Sequence, residues 1–141
     1  MTDDTALKDF LAGHRHGVLA TIRRDGRPQL STITYLYDPE RAEFIASVTE
    51  TRAKTKNMRR DPRVTFHVSS EDGWSYVVVE GRASLTEPAA APDDATVEAL
   101  VGYYRRASGE HPDWAEYRQA MVTDQRVLLT VHVEKLLGLV R

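Results

Sequence analysis

Six short runs in which apolar and polar side chains alternate with a period of two constrain this chain more than any other feature. The clearest is residues 63–69, where Val64, Phe66 and Val68 alternate with Thr65 and His67. That alternation sends one face of a strand to a core and the other toward solvent, the habit of antiparallel sheets. Further strands are predicted from Gly17, over Pro28 to Tyr37, Glu43 to Val48, Trp74 to Thr86 and Arg126 to Leu137. Asp25-Gly26 is a two-residue hairpin signal, since glycine accepts the positive φ such turns require. Asp38-Pro39-Glu40 reads as a type I turn, and Glu71-Asp72-Gly73 as another reversal. The unbroken Val77-Val78-Val79 run predicts a strand buried on both faces.

Helical periodicity lies between and beside these strands. Asp4 to Leu11 carries Leu7, Phe10 and Leu11 on one face. Thr51 to Arg60 reads as a helix closed by Asp61-Pro62. Val97, Leu100, Val101 and Tyr104 recur at i, i+3, i+4 and i+7, with Asp93 or Asp94 as cap, and Ser108-Gly109 ends that helix. Pro112 is expected to open another through about Val122. Six strands with helices at their edges imply one domain, residues 1–141, mainly β, in a six-stranded antiparallel barrel with peripheral helices. A barrel of that size is filled by its own side chains. A sizeable ligand therefore has to lie in a surface groove or between subunits.

Composition removes several kinds of chemistry. The chain has no cysteine, which excludes disulfides, thiolate catalysis and Cys-based metal sites. His14, His16, His67, His111 and His132 offer no three- or four-ligand spacing, so no metal is expected. No G-x-G-x-x-G, P-loop or G-x-S-x-G motif is present. No apolar run approaches the ~20 residues that span a bilayer, and the opening Met1-Thr2-Asp3-Asp4 lacks the basic-then-apolar pattern of a leader. The expectation is a cytoplasmic protein that touches neither membrane nor nucleic acid. With no nucleophile or acid–base pair in view, a bound cofactor would carry the chemistry.

Charge is concentrated in one place. Residues 51–60 carry +5 with no acid, against −2 for the whole chain, so the remaining residues sum to −7. A compact basic patch on an acidic protein suits one anionic ligand. Arg52 and Lys54 lie near a helix start, where the helix dipole disfavours cations unless an anion binds there. Thr51 and Thr55 bring hydroxyls to the same turn. Lys56, Arg59 and Arg60 suit a solvated outer face, and the whole cluster reads equally well as a charged surface helix. Gln29 and Ser31, two apart on one strand, and Ser47 on the next, can contact a flat ring or be ordinary strand polarity. Trp74, Ser75 and Tyr76 can cover such a ring, fill a subunit contact or pack in the core.

Taken together, GVLATIRRDGRPQLSTITYLYD (17–38), TRAKTKNMRRDPRVTFHV (51–68) and DGWSYVVVEGRASLT (72–86) resemble the flavin/deazaflavin oxidoreductases. These belong to the wider pyridoxamine 5′-phosphate oxidase-like group, and the likeness is to its actinobacterial F420-binding subgroup B1. The later segments APDDATVEALVGYYR and GEHPDWAEYRQAMVTDQRVLLTV extend it over nearly the whole chain. The resemblance implies a split β-barrel homodimer with cofactor sites across the subunit interface, acting on a small molecule. It implies coenzyme F420 as cofactor, with FMN as the alternative and a non-catalytic F420 carrier as a second. A heme-handling role is a distant fourth. In its terms Arg52 and Lys54 hold the cofactor phosphate, Gln29, Ser31 and Ser47 line the ring, and Thr55 and Asn57 assist at the phosphate and tail. Trp74 to Tyr76 come from the other subunit, and Arg59 and Arg60 meet the tail. Thr51 stands where relatives carry proline, and is expected to cap the helix instead. No C-terminal tryptophan/arginine region follows the last strand, which argues against pyridoxal phosphate synthesis.

Overall fold

A computed structural model describes residues 3–141; Met1 and Thr2, half of the acidic opening segment, lie outside the described residues. Tyr35, Phe44 and Phe66 form the middle of the core. Phe44 stacks on Phe66 with ring centroids 4.5 Å apart, and Tyr35 meets Phe66 edge-on at 5.0 Å. Around them run β1 (His16–Ile22), β2 (Pro28–Thr34), β3 (Leu36–Asp38), β4 (Glu43–Thr49), β5 (Arg63–Ser69), β6 (Tyr76–Leu85) and β7 (Arg126–Leu139). All are antiparallel in one sheet, in the order β2-β1-β5-β6-β7-β4-β3.

The two ends of that order, β2 and β3, are separated in sequence by Tyr35 alone. The sheet therefore curls into a barrel whose edges are joined through one residue. This corrects the expected strand count from six to seven, because the run from Pro28 to Tyr37 is two strands with different neighbours. Tyr35 breaks it because its backbone N–H donates to the Arg15 carbonyl (2.8 Å), while its hydroxyl donates to the Leu11 carbonyl (2.7 Å) inside the core. Burial pushes that phenol's pKa well above its ordinary value. At Glu80/Gly81 the β6–β7 register shifts; a Cβ on Gly81 would stand 2.4 Å from the His132 carbonyl oxygen, so the strands can close up only over glycine.

Helices close the barrel's ends. α1 (Asp4–Ala12), capped by the Asp3 carboxylate accepting from the Ala6 N–H, buries Leu7 and Leu11. α2 (Ala53–Arg60) buries Thr55, Asn57 and Met58. Its N-cap is Arg52, without a side-chain cap, so the expected Thr51 cap is not formed. α3 (Ala95–Ser108) is capped by Asp94, and α4 (Trp114–Thr123) by Asp113 rather than opened by Pro112. The α3–α4 pair has its own small core of Val97, Leu100, Val101, Tyr117 and Met121. There the Tyr117 hydroxyl donates to the Leu100 carbonyl (3.0 Å), and burial pushes its pKa to about 12.

Val77 and Val79 are fully buried but Val78 is only half-buried, so β6 has one core face rather than the two its valine run suggested. The outer row Thr32–Val18–His67–Val78–Leu137 crosses five strands. Leu137 (41% exposed) ends it, and Leu30 (65%) flanks it. No helix among the described residues is long and apolar enough to cross a membrane.

Tyr35→Phe removes the buried hydroxyl and leaves the Leu11 carbonyl with its longer bond from the His14 N–H (3.3 Å). The expected loss is about 1 kcal/mol of unfolding free energy, read by urea denaturation with an unchanged m-value.

Candidate functional site

The barrel is open along one seam. β2 is bonded only to β1, and residues 46–49 of β4 only to β7. Where these two strand edges face each other without a ladder lies a groove of about 410 Å³. Thr32 and Thr34 line it from β2, and Ser47 and Thr49 from β4, with Ile33 and Val48 between them. Arg52 and Lys54 enter from the start of α2, Arg126 from β7 and Tyr103 from α3. Unpaired strand edges keep backbone N–H and C=O groups free for a ligand, and the hydroxyls beside them add donors and acceptors.

The electrostatics are one-sided. Among the described residues neither Arg52 nor Lys54 has an ion-pair partner. Burial, then the charges of Arg52 and Arg126, hold the Lys54 pKa below its ordinary value. Arg126 donates a long hydrogen bond to the Ser47 carbonyl (3.4 Å), and its nearest carboxylate, Asp124, is 3.9 Å away. Its Nε is buried with no hydrogen-bond partner. Three converging cations and an unsatisfied buried donor concentrate positive charge at this end of the groove, an arrangement that suits an anion. Burial also raises the Tyr103 phenol's pKa, with Arg15 and Arg126 pulling it back.

Of the residues singled out in the sequence, Ser47, Arg52 and Lys54 meet in this groove. Gln29 and Ser31 are on the opposite face of β2. Ser31 pairs with the fully buried Leu19, and the Gln29 side-chain carbonyl accepts from the Asn57 amide (3.4 Å), which also donates to the Thr21 hydroxyl (3.1 Å). The β2 hydroxyls in the groove are those of Thr32 and Thr34, on the alternate face from the expected pair. Thr55 is fully buried and its hydroxyl donates to the Thr49 carbonyl (2.7 Å), bracing the turn beneath Arg52. Arg59 is engaged with both Glu50 carboxylate oxygens and the Thr86 carbonyl, and Arg60 with the Ile22 carbonyl, so neither is free for a ligand's tail.

Trp74 and Tyr76 line no part of the groove. Trp74 is 64% exposed beside the Arg141 guanidinium, and Tyr76, 36% exposed, stacks on His67. On the outer face three strand spacings, about 14 Å, separate the groove wall at Thr32 from Val78, two residues along from Tyr76. Arg126, Thr32, Thr34 and Tyr103 are what the sequence reading missed. Arg126 is more than sixty residues beyond the basic run, so no local spacing links them. Tyr103 lies off the apolar stripe of α3, the one signal that it faces elsewhere. No cluster of three His, Asp or Glu side chains suited to a metal ion occurs among the described residues.

Lys54→Met removes a cation that its surroundings disfavour. Because the folded-state pKa is depressed, the penalty is full below it and fades as pH rises through it. At neutral pH the ligand-free variant is expected to gain roughly 0.5 kcal/mol, a discounted figure for a half-exposed, screened group, with the gain shrinking toward alkaline pH in thermal melts.

A family model described as pyridoxamine 5′-phosphate oxidase matches residues 3–139. An F420H2-dependent biliverdin reductase of Mycobacterium tuberculosis is 27% identical over 129 residues, covering 92% of this chain and 82% of that protein. The solved structure of a conserved hypothetical protein from the same organism superposes with a TM-score of 0.73 at 26% identity, over 98% of this chain and 84% of that one. A structure described as an F420 reductase shares the fold, with a TM-score of 0.66 at 23% identity over 92% and 94% of the two chains.

Proposed function

The chain belongs to the pyridoxamine 5′-phosphate oxidase family, and from that premise we propose that it is an F420-dependent oxidoreductase reducing an electron-poor small molecule. The observation that carries this reading is the convergence of Arg52, Lys54 and Arg126 at one end of a groove walled by two open strand edges. A phosphate on the three cations satisfies the buried Arg126 Nε and relieves their mutual repulsion. The strand edges and the hydroxyls of Thr32, Thr34, Ser47 and Thr49 then hold a flat heteroaromatic ring by its rim. When bound, reduced F420 supplies the hydride; the chain's own groups bind, orient and shield. The F420H2-dependent relative supports the deazaflavin over FMN.

The active form in this reading is a cytoplasmic homodimer. The half-buried Val18 and Val78 with exposed Leu30, Leu137 and Tyr76 form an apolar outer face beside the groove wall, the kind of patch that marks a protein contact. Pairing two such faces covers the patch and brings Trp74 and Tyr76 of the partner subunit toward the ring.

Fluorescence titration of protein from a host that makes no F420 tests the assignment. Saturable binding of F420, tighter than FMN, is expected. Lys54→Glu should weaken it at least about tenfold, roughly 1.4 kcal/mol. Arg106→Glu, whose arginine pairs with Asp38 away from the groove, should leave it within about twofold. Equal effects would overturn the anion site. Oxidation of reduced F420 by an added acceptor then separates an enzyme from a carrier.

A further inference from the structure

Three side chains on the outer face of the sheet form a chain of hydrogen bonds that their order in the sequence conceals. Glu43 of β4, His132 of β7 and Ser84 of β6 become neighbours because β7 lies between β4 and β6. Glu43 stands directly opposite His132, and Ser84 lies on the diagonal, opposite Thr130. The His132 Nδ1–H donates to the Glu43 carboxylate (2.7 Å), and the Ser84 hydroxyl donates to His132 Nε2 (3.3 Å). The carboxylate sets both directions. It can only accept, so it keeps the proton of a neutral imidazole on Nδ1 and leaves Nε2 bare toward the serine. Glu43 is enclosed, its side chain 15% exposed, whereas His132 and Ser84 are open to solvent. Glu43 also borders a cavity of about 490 Å³, lined along the sheet by Ile45, Leu128 and Thr130. Glu43 is four residues along β4 from Ser47 of the groove, about 14 Å.

We propose that Ser84 is a covalent acyl acceptor, with His132 as its general base and Glu43 as the residue that positions the imidazole. The same serine–imidazole–carboxylate order recurs on unrelated folds and is recognised by geometry rather than by sequence position. The donor is a small activated ester. The Ser84 Oγ attacks its carbonyl carbon, an Oγ–C bond forms, and the bond to the leaving oxygen breaks with its electron pair. The hydroxyl proton passes to His132 Nε2 and from there to solvent. The acyl group lies toward Thr130 and the apolar wall of Ile45 and Leu128, which suits a short uncharged chain. Turnover is a different matter. The main chain at Ser84 is engaged in the β6–β7 ladder, and Arg82, the cation two residues away on the same face, pairs with Glu134 (3.3 Å). A tetrahedral oxyanion therefore gains little stabilisation. Only donors with a good leaving group react, and the serine ester they form is long-lived.

The site stands apart from the cofactor groove, and para-nitrophenyl acetate tests it with no cofactor present. One equivalent of nitrophenolate per chain is expected in a burst, followed by a much slower phase. Intact mass should show a single acetyl group, and peptide mapping should place it on Ser84. Ser84→Ala abolishes the burst, and His132→Gln slows it at least about tenfold. Glu43→Asp, which keeps the carboxylate, should retain more of the rate than Glu43→Gln, which keeps the size; a merely structural role gives the reverse order. Ser69→Ala removes another outer-face serine, one whose hydroxyl donates to the Ser70 carbonyl instead of an imidazole, and leaves the burst unchanged. Thermal melts confirm that each variant folds. Acetylation confined to lysines, a burst that survives in Ser84→Ala, or wild-type rates in His132→Gln or Glu43→Gln would overturn the proposal. None of these outcomes touches the cofactor reading, which turns on Lys54.

Discussion

Everything about this molecule's groove follows from the way Tyr35 joins the two edges of the sheet. A single residue cannot carry a hydrogen-bonded ladder, so the barrel closes covalently at one point and stays open along the rest of the seam. The tyrosine is held by a main-chain bond to Arg15 and by its hydroxyl on Leu11, with its ring against Phe44 and Phe66. Core packing and seam geometry are thereby the same constraint. The strand edges left free at the seam would be a liability on an ordinary surface. Here α2, α3 and the start of β7 crowd round them and turn them into binding walls.

The cation cluster works against folding. Arg52, Lys54 and Arg126 repel one another, and the helix end they adjoin has no side-chain cap. The neighbouring cations are treated differently: Arg59 is paired with Glu50, Arg63 with Asp61, and Arg118 with Glu98. Asp61, in that pairing, has its pKa lowered to about 2, chiefly by its hydrogen bonds from Arg63. Surface pairs of this kind contribute little stability, but they show that carboxylates are available where charge is to be neutralised. Among the described residues, no carboxylate pairs with Lys54 in this way.

Much of this was legible in the sequence because the signals were local. The strand alternation, the Asp-Gly turn, the Asp caps and the basic run each fit in a window of ten residues. What escaped was whatever depended on distant neighbours. The break at Tyr35 is invisible in an alternation that continues through it. The resemblance singles out Gln29 and Ser31 for a ring, and no local pattern shows that Gln29 accepts from Asn57, which also donates to Thr21 on β1. Arg126 belongs to the site only because β7 pairs with β4, bringing Arg126 opposite Thr49.

The arrangement also bears on how one fold hosts different reactions. In the proposed reading, the cation cluster and the open strand edges would hold a ligand's phosphate and ring rim, and both are made from backbone topology and a few cations. The groove is bordered as well by Tyr103, carried on the separately packed α3–α4 pair. Those elements can change shape without disturbing the barrel core, since their own small core is built from different residues. In the proposed reading, substrate choice would fall to the helical pair and the proposed subunit contact, while cofactor choice would fall to the seam.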